Sequence, residues 1–202
     1  LNDWRAANSW KLTRVFNPSG LKNRKNKFPG KLTLICTYVS KQEDRPDIDQ
    51  FSITCTPLEK AETSLRLIRS QGYERVMIFC NTKHMCQRLC DEFQRAGMDC
   101  DCLHGDIRQS QREKTMQKYR AGKLPVLIAT DVASRGIDVD DVECVINYDI
   151  PEENEYYVHR IGRTGRAKHQ GAAYNLISSV TDDVRLDEII RNNQYDVKTI
   201  TL

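Results

Sequence analysis

The sequence has no apolar run approaching the ~20 residues a helix needs to span a bilayer, so no membrane role is expected. Its opening residues, Leu1-Asn2-Asp3-Trp4-Arg5, carry no signal-peptide pattern. Its eight cysteines form no C-x-x-C pair, and no histidines stand at the matching zinc spacing. No metal site is therefore expected, and free thiols in a reducing, intracellular compartment, cytoplasmic or nuclear, are. The phosphate loop G-x-x-x-x-G-K-[ST] is also missing: Gly122-Lys123 is followed by Leu124 and has no glycine at the upstream position. Without that loop the chain has no Walker-type cradle for a nucleotide's phosphates, which argues against a self-sufficient P-loop enzyme. There is no internal repeat and no low-complexity tract.

What is present suits one globular domain with some additional segment: 202 residues, 39% apolar and 29% charged. The net charge of +3 permits a polyanionic partner without demanding one.

From about Ile48 onward, candidate strands and helices alternate at short intervals. Ile48–Thr54 alternates as a strand, and Pro57 at a first helical turn opens a helix through Leu58, Leu65 and Ile68 that Gly72 ends. Arg75–Cys80 and Pro125–Ala129 are continuous apolar runs of the kind found in strands buried on both faces. Met85, Leu89 and Phe93 share a helix face ahead of Gly97; Asp99–Leu103 is a short strand; Ser110–Ala121 is helical, with Gly122 just after it. Val142–Tyr148 reads as a strand, Glu152–Ile161 as a helix and Ala172–Ile177 as a strand. Asp182 is a candidate cap for a last helix through Leu186, Ile189 and Ile190. This rhythm predicts a mostly parallel sheet with helices on both faces, whose ligands gather at the carboxyl ends of the strands.

Residues 1–46 stand outside that rhythm and form an extension or linker, leaving 47–202 as the domain proper. They hold Trp4 and Trp10, a turn at Asn17-Pro18-Ser19-Gly20, a weakly alternating Lys31–Val39, and the cluster Lys22, Arg24, Lys25 and Lys27. A solvated loop is the plainer reading of that cluster, an RNA-contacting arm the sharper one.

Three segments carry chemistry. In His159-Arg160-Ile161-Gly162-Arg163-Thr164-Gly165-Arg166, four of eight positions are His or Arg and two glycines stand three apart. Arg163 and Arg166, at the same spacing, can be aimed together from a tight turn, and two converging guanidinium groups suit a phosphate. Ala129–Asp138 begins where a buried strand ends and combines small residues, hydroxyls, Gly136 and two acids. The third set is weaker: Phe79-Cys80-Asn81-Thr82, His104-Gly105-Asp106, then Gln109 and Arg112 at a helix start, where backbone N–H groups favour an anion.

Together and in this order these residues resemble the DEAD-box ATP-dependent RNA helicases, over roughly Ile48 to Asn192. His159–Arg166 is similar to the family's motif VI and Ala129–Asp138 to its motif V, with Ser134 where Ala is commoner. Phe79–Thr82 resembles motif IV, and Gln109 with Arg112 the QxxR element. The resemblance implies the second, C-terminal RecA-like domain, a three-layer α/β fold. It implies Arg163 and Arg166 as arginine fingers, with His159 coupling two domains; Gly136 and Asp138 binding ATP, Asp138 toward its ribose; and Thr82, Gly105, Gln109, Arg112 and Thr130 along the RNA backbone. The implied ligands are ATP and RNA, with Mg²⁺ held by a first RecA-like domain. No Asp-Glu-Ala-Asp run for that ion occurs in this chain, so the isolated domain is expected to be inactive. The implied activity is local, ATP-driven RNA unwinding or RNP remodelling, with protein regulators as possible further partners. A docking domain without catalysis and a DNA-directed helicase half are the alternatives; intact motif VI arginines argue against the first, and an RNA-versus-DNA substrate comparison separates the second.

Overall fold

The computed structural model of the chain describes residues 47–134, 139, 142–165 and 170–201. The expectations placed on residues 1–46 lie outside the described residues. Within them strands and helices alternate: β1 (Ile48–Thr54), α1 (Lys60–Gln71), β2 (Val76–Phe79), α2 (Lys83–Arg95), β3 (Cys100–Leu103), α3 (Gln109–Arg120), β4 (Val126–Ala129), α4 (Asp131–Ser134), β5 (Cys144–Asn147), α5 (Asn154–Ile161), β6 (Gly171–Ile177), α6 (Val180–Asn193) and β7 (Val197–Ile200). The strands form one sheet in the order β3-β4-β2-β5-β6-β1-β7, every pairing parallel.

The central strands β2, β4 and β5 are buried at every position, which explains their unbroken apolar sequence. The pleat divides their side chains between two cores. Val76, Ile78 and Cys80 pack with Leu65 and Ile68 of α1 and with Leu89 and Phe93 of α2. Met77 and Phe79 face the other way, onto Met116 and Tyr119 of α3. Tyr157 and Ile161 of α5 and Leu186 and Ile189 of α6 cover Ala173 and Ile177 of β6. The glycines expected to stop helices, Gly72, Gly97 and Gly122, all adopt positive φ.

Four details differ from the sequence reading. Helix α1 starts at Lys60 rather than Pro57. The Glu59 carboxylate accepts the Thr56 N–H at 2.9 Å and the Glu59 N–H donates to the Thr56 carbonyl, closing a turn that leaves Leu58 88% exposed. The cap of α6 is Ser179, not Asp182. Ser179 Oγ accepts the Asp182 N–H at 3.1 Å, while the Asp182 carboxylate takes the N–H and hydroxyl of Ser178, a reciprocal arrangement close to a capping box. Helix α4 and strand β7 had no counterpart in the sequence reading.

Candidate functional site

The carboxyl ends of β3, β4 and β2 lie side by side, and most of the residues proposed for nucleic acid gather there. Thr82 leaves β2 with extended backbone and caps α2, its Oγ1 accepting the Met85 N–H at 3.1 Å. Gly105 follows β3, exposed, with open space around its Cα. Lys83 reaches from the first turn of α2 to Asp106 at 2.9 Å and joins the two loops. The hydrogen bond from Lys83 holds the Asp106 carboxyl below the ordinary carboxylate range. Thr130 ends β4, its N–H donating to the Leu103 carbonyl at 3.1 Å, and its side chain is buried. Gln109 opens α3 and donates to Glu113 one turn on, while Arg112 donates through Nη2 to the Ala133 carbonyl of α4. Thr82, Gly105 and Gln109 are open to water and Arg112 is half-buried.

Helix α5 runs back along the sheet. The Val142 N–H, just ahead of β5, donates to the Arg163 carbonyl, and Val142 pairs with Thr164. The arginine turn therefore lies level with the start of β5, away from the row at the strands' carboxyl ends. The turn is closed by the Arg163 N–H to Arg160, the Thr164 N–H to Ile161, and Thr164 Oγ1 to the Val142 carbonyl. Gly165 takes φ 71°. A Cβ placed on Gly171, the first residue of β6, would fall well inside van der Waals contact with Thr164 and the Gly165 nitrogen, so only glycine lets β6 approach the turn this closely. His159 is exposed and Arg163 half-buried. Gly136, Asp138 and Arg166, proposed for the nucleotide, lie outside the described residues.

Arg160 differs from its neighbours. It is 1% exposed. Its guanidinium forms a two-point ion pair with Asp131 (Nε–Oδ1 2.6 Å, Nη2–Oδ2 2.7 Å). It also donates to the Asp149 carbonyl at 2.7 Å, Asn81 Oδ1 at 2.8 Å and Asn147 Oδ1 at 3.2 Å, and lies over the Phe79 ring. One side chain thus ties α5 to the ends of β2, β4 and β5. Asp149 extends the cluster, accepting the Asn81 N–H and facing buried Lys60, which donates to the Tyr148 carbonyl at 2.7 Å.

From Arg160 a buried polar line continues across the sheet. Asn147 Nδ2 donates to Asn175 Oδ1 at 2.8 Å. Asn175 Nδ2 is shared between Tyr157 Oη and the Phe51 carbonyl, and Tyr157 Oη donates to Gln50 Oε1 at 2.8 Å. Burial pushes the Tyr157 hydroxyl well above the usual phenol range, so it stays a proton donor.

The sequence reading placed Arg160 inside a basic octapeptide and gave it no role of its own, and it missed Asn147, Asn175 and Tyr157. A signal for Arg160 was there: Tyr157, Arg160, Ile161 and Thr164 recur at helical spacing, a stripe that faces the sheet.

The all-parallel sheet, covered on both faces and carrying this polar site at its strand ends, is a RecA-like domain of the helicase type. A family model described as "Helicase conserved C-terminal domain" matches residues 59–168. The chain belongs to that family, as the C-terminal domain of a DEAD-box helicase. It is 49% identical over 122 residues to DEAD-box ATP-dependent RNA helicase 40 of Oryza sativa subsp. japonica, covering 60% of this chain and 15% of that protein. The structure of the E. coli DEAD-box protein SrmB bound to regulator of ribonuclease activity A matches with a TM-score of 0.73 at 32% identity, over 78% of this chain and 93% of that one. S. cerevisiae Dbp5 bound to RNA and ADP BeF3 matches with a TM-score of 0.73 at 28% identity, over 78% of this chain and 42% of that one. The chain spans well under a third of the length of the curated relatives it matches.

Proposed function

We propose that this domain forms one wall of an ATP site and part of an RNA track in a longer ATP-dependent RNA helicase. The observation that carries the reading is the anchored arginine turn. Arg160 is spent wholly on fixing α5 to three strand ends, and this anchor sets the position of the exposed His159 beside it and of the half-buried Arg163 that follows. A preorganised cation acts on developing negative charge without reorganising during the reaction. Arg163 and Arg166 then stabilise the transferring phosphoryl group as arginine fingers. Gly136 and Asp138 bind the nucleotide, Asp138 toward its ribose, and His159 couples the two domains. The first RecA-like domain holds the phosphates and Mg²⁺, so the 202-residue chain by itself should not turn over ATP.

RNA phosphates follow the row Thr82, Gly105, Gln109, Arg112 and Thr130, a backbone-centred grip with little sequence preference and strong salt dependence. Domain closure around both ligands bends RNA and unwinds short duplexes or remodels RNPs locally. The similarity to a Dbp5 structure holding RNA and ADP BeF3 supports both ligands. The SrmB complex supports a protein regulator as a further partner. The free thiols suit a reducing compartment, cytoplasmic or nuclear.

The test pairs two variants in the full-length protein. Arg163→Ala should lower RNA-stimulated ATPase by ~10³–10⁵, the usual worth of an arginine finger, and spare nucleotide-free RNA binding. Arg112→Ala should weaken RNA binding by roughly 1–3 kcal/mol, the range of a charge-assisted hydrogen bond, and spare RNA-independent turnover. If Arg163→Ala abolished basal RNA binding while leaving turnover intact, the two assignments would be wrong.

A further inference from the structure

Tyr157 and Arg160 stand three residues apart on α5, and each grips one of two asparagines that lie side by side in the sheet. Asn147 of β5 and Asn175 of β6 are register partners. Arg160 Nη1 donates to Asn147 Oδ1, Asn147 Nδ2 to Asn175 Oδ1, Asn175 Nδ2 to Tyr157 Oη, and Tyr157 Oη to Gln50 Oε1 of β1. All five side chains are buried. A guanidinium has protons to give and no lone pair to offer, so the cation sets the direction of every later bond. Asn147 must turn its oxygen to Arg160 and its nitrogen to Asn175. Asn175 then does the same toward Tyr157, and the phenol is left to donate to Gln50. A one-way chain of this kind has one fully satisfied arrangement, and each bond polarises the next.

The chain returns to the helix it started from. Three helical residues rise about 4.5 Å and turn by roughly 300°, so Tyr157 and Arg160 hold α5 at two points along its axis and about 60° apart around it. Arg160 ties the helix to the ends of β2, β4 and β5, and Tyr157 ties it to β6 and β1. One tether leaves a helix free to roll about it; two on different strands do not. Arg163 inherits the result, because its N–H donates to the Arg160 carbonyl at 3.2 Å and a roll of α5 carries that backbone along.

We infer that Tyr157 is a positioning residue for phosphoryl transfer: together with Arg160 it fixes the roll of α5 and so aims Arg163. The inference rests on the arginine-finger reading proposed above. Tyr157 acts through Asn175, Gln50 and the helix, and its hydroxyl carries the role. Tyr157→Phe keeps the ring against Tyr195, 5.8 Å between centroids, and removes only the oxygen at which the chain turns from β6 to β1. Asn175 is then free to turn, and the aim loosens with no cation deleted.

The test is a double-mutant cycle on RNA-stimulated ATPase in the full-length protein, with Tyr157→Phe and Arg163→Ala singly and together. Tyr157→Phe should lower kcat about tenfold, within the ~10²-fold that a 1 Å misplacement can cost, with the KM for ATP and nucleotide-free RNA affinity unchanged. In the Arg163→Ala background the same change should have no further effect, since an absent arginine cannot be mis-aimed. Gln50→Leu, which removes the acceptor of the Tyr157 hydroxyl from a strand far along the sequence, goes through the same cycle and should lower kcat in the same direction; it also carries the test if Tyr157→Phe is too unstable to assay. Ser179→Ala, which removes the α6 cap and leaves the chain intact, should lower stability and spare kcat. Wild-type kcat in either chain variant, losses that multiply in the double variant, a raised KM in place of a lowered kcat, or an equal loss in Ser179→Ala would overturn the role of Tyr157. If Arg163→Ala itself spares turnover, the arginine-finger reading fails and this role falls with it. If Arg163→Ala lowers turnover and Tyr157→Phe does not, the finger stands and only the positioning role is lost.

Discussion

The Arg160 clamp and the row from Thr82 to Arg112 lie at the ends of neighbouring strands, yet only the clamp takes its central cation out of water: Arg160 is fully buried, while Thr82, Gly105 and Gln109 are open. In the clamp a fully buried guanidinium meets a carboxylate, two amides and a carbonyl, and each hydrogen bond supports the next. In the row most partners are single and solvated: Thr82 caps its own helix, Gln109 bonds one turn along and Lys83 meets Asp106 at the surface, with half-buried Arg112 tied to the Ala133 carbonyl. The difference follows from desolvation. A buried charge is tolerable only when its whole hydrogen-bonding capacity is met, which leaves one geometry. A hydrated group can exchange water for a phosphate oxygen at small cost and keeps several geometries. The clamp therefore suits holding catalytic side chains in place, and the row suits gripping an irregular polyanion.

Changes on the two sides should separate the clamp from the row. Arg160→Ala takes the guanidinium away from Asp131, Asn147 and Asn81 and should cost about 3–5 kcal/mol of unfolding free energy, the range for breaking a buried pair. Chemical denaturation of the 202-residue chain measures it, and a loss below that of an ordinary surface change would show that the clamp is wet. Tyr157→Phe removes one hydroxyl from the polar line and leaves Gln50 and Asn175 each short of a partner. About 1–3 kcal/mol is expected from the same denaturation curves, a smaller loss because both amides keep other bonds or can shift. Lys83→Ala should change stability least of the three, since its pair with Asp106 is exposed. Its signature is in the pH dependence. Asp106 titrates below its ordinary value in the fold, so its contribution is present above the ordinary carboxylate range and fades as pH falls through the folded value. Removing Lys83 should flatten the acid limb of a stability–pH profile; an unchanged limb would place the acid sensitivity elsewhere, for instance at Asp182, whose carboxyl is also held low by Ser178 despite partial burial.

The sequence was most legible where burial is complete and regular. Val76–Phe79 and Val126–Ala129 could be read directly as central strands, because helices on both faces leave no polar alternation. Strand β7 was invisible for the opposite reason: Val197-Lys198-Thr199-Ile200 is a four-residue edge strand with only its outer positions half-buried. Helix α4 has four residues, too few to show a period. At the site, motif order found the loops, and the structure brings Thr82, Gly105, Gln109, Arg112 and Thr130 onto adjoining strand ends. What order alone could not supply is which arginine faces inward. Arg160 and Arg163 look equivalent in a string of basic residues; the helical stripe through Tyr157, Arg160 and Ile161, and the end of α5 at Ile161, separate them.

The tight approach of Gly171 to the arginine turn makes placement and charge separately addressable. A methyl group added there works as a wedge under Thr164 and Gly165, shifting the loop while deleting no cation and no hydrogen-bonding side chain. Charge removal at Arg163 does the reverse, leaving Gly171 and its close approach in place and taking away the cation. A domain whose activity depends on aim would respond alike to both edits, whereas one that needs only local positive potential would tolerate the wedge.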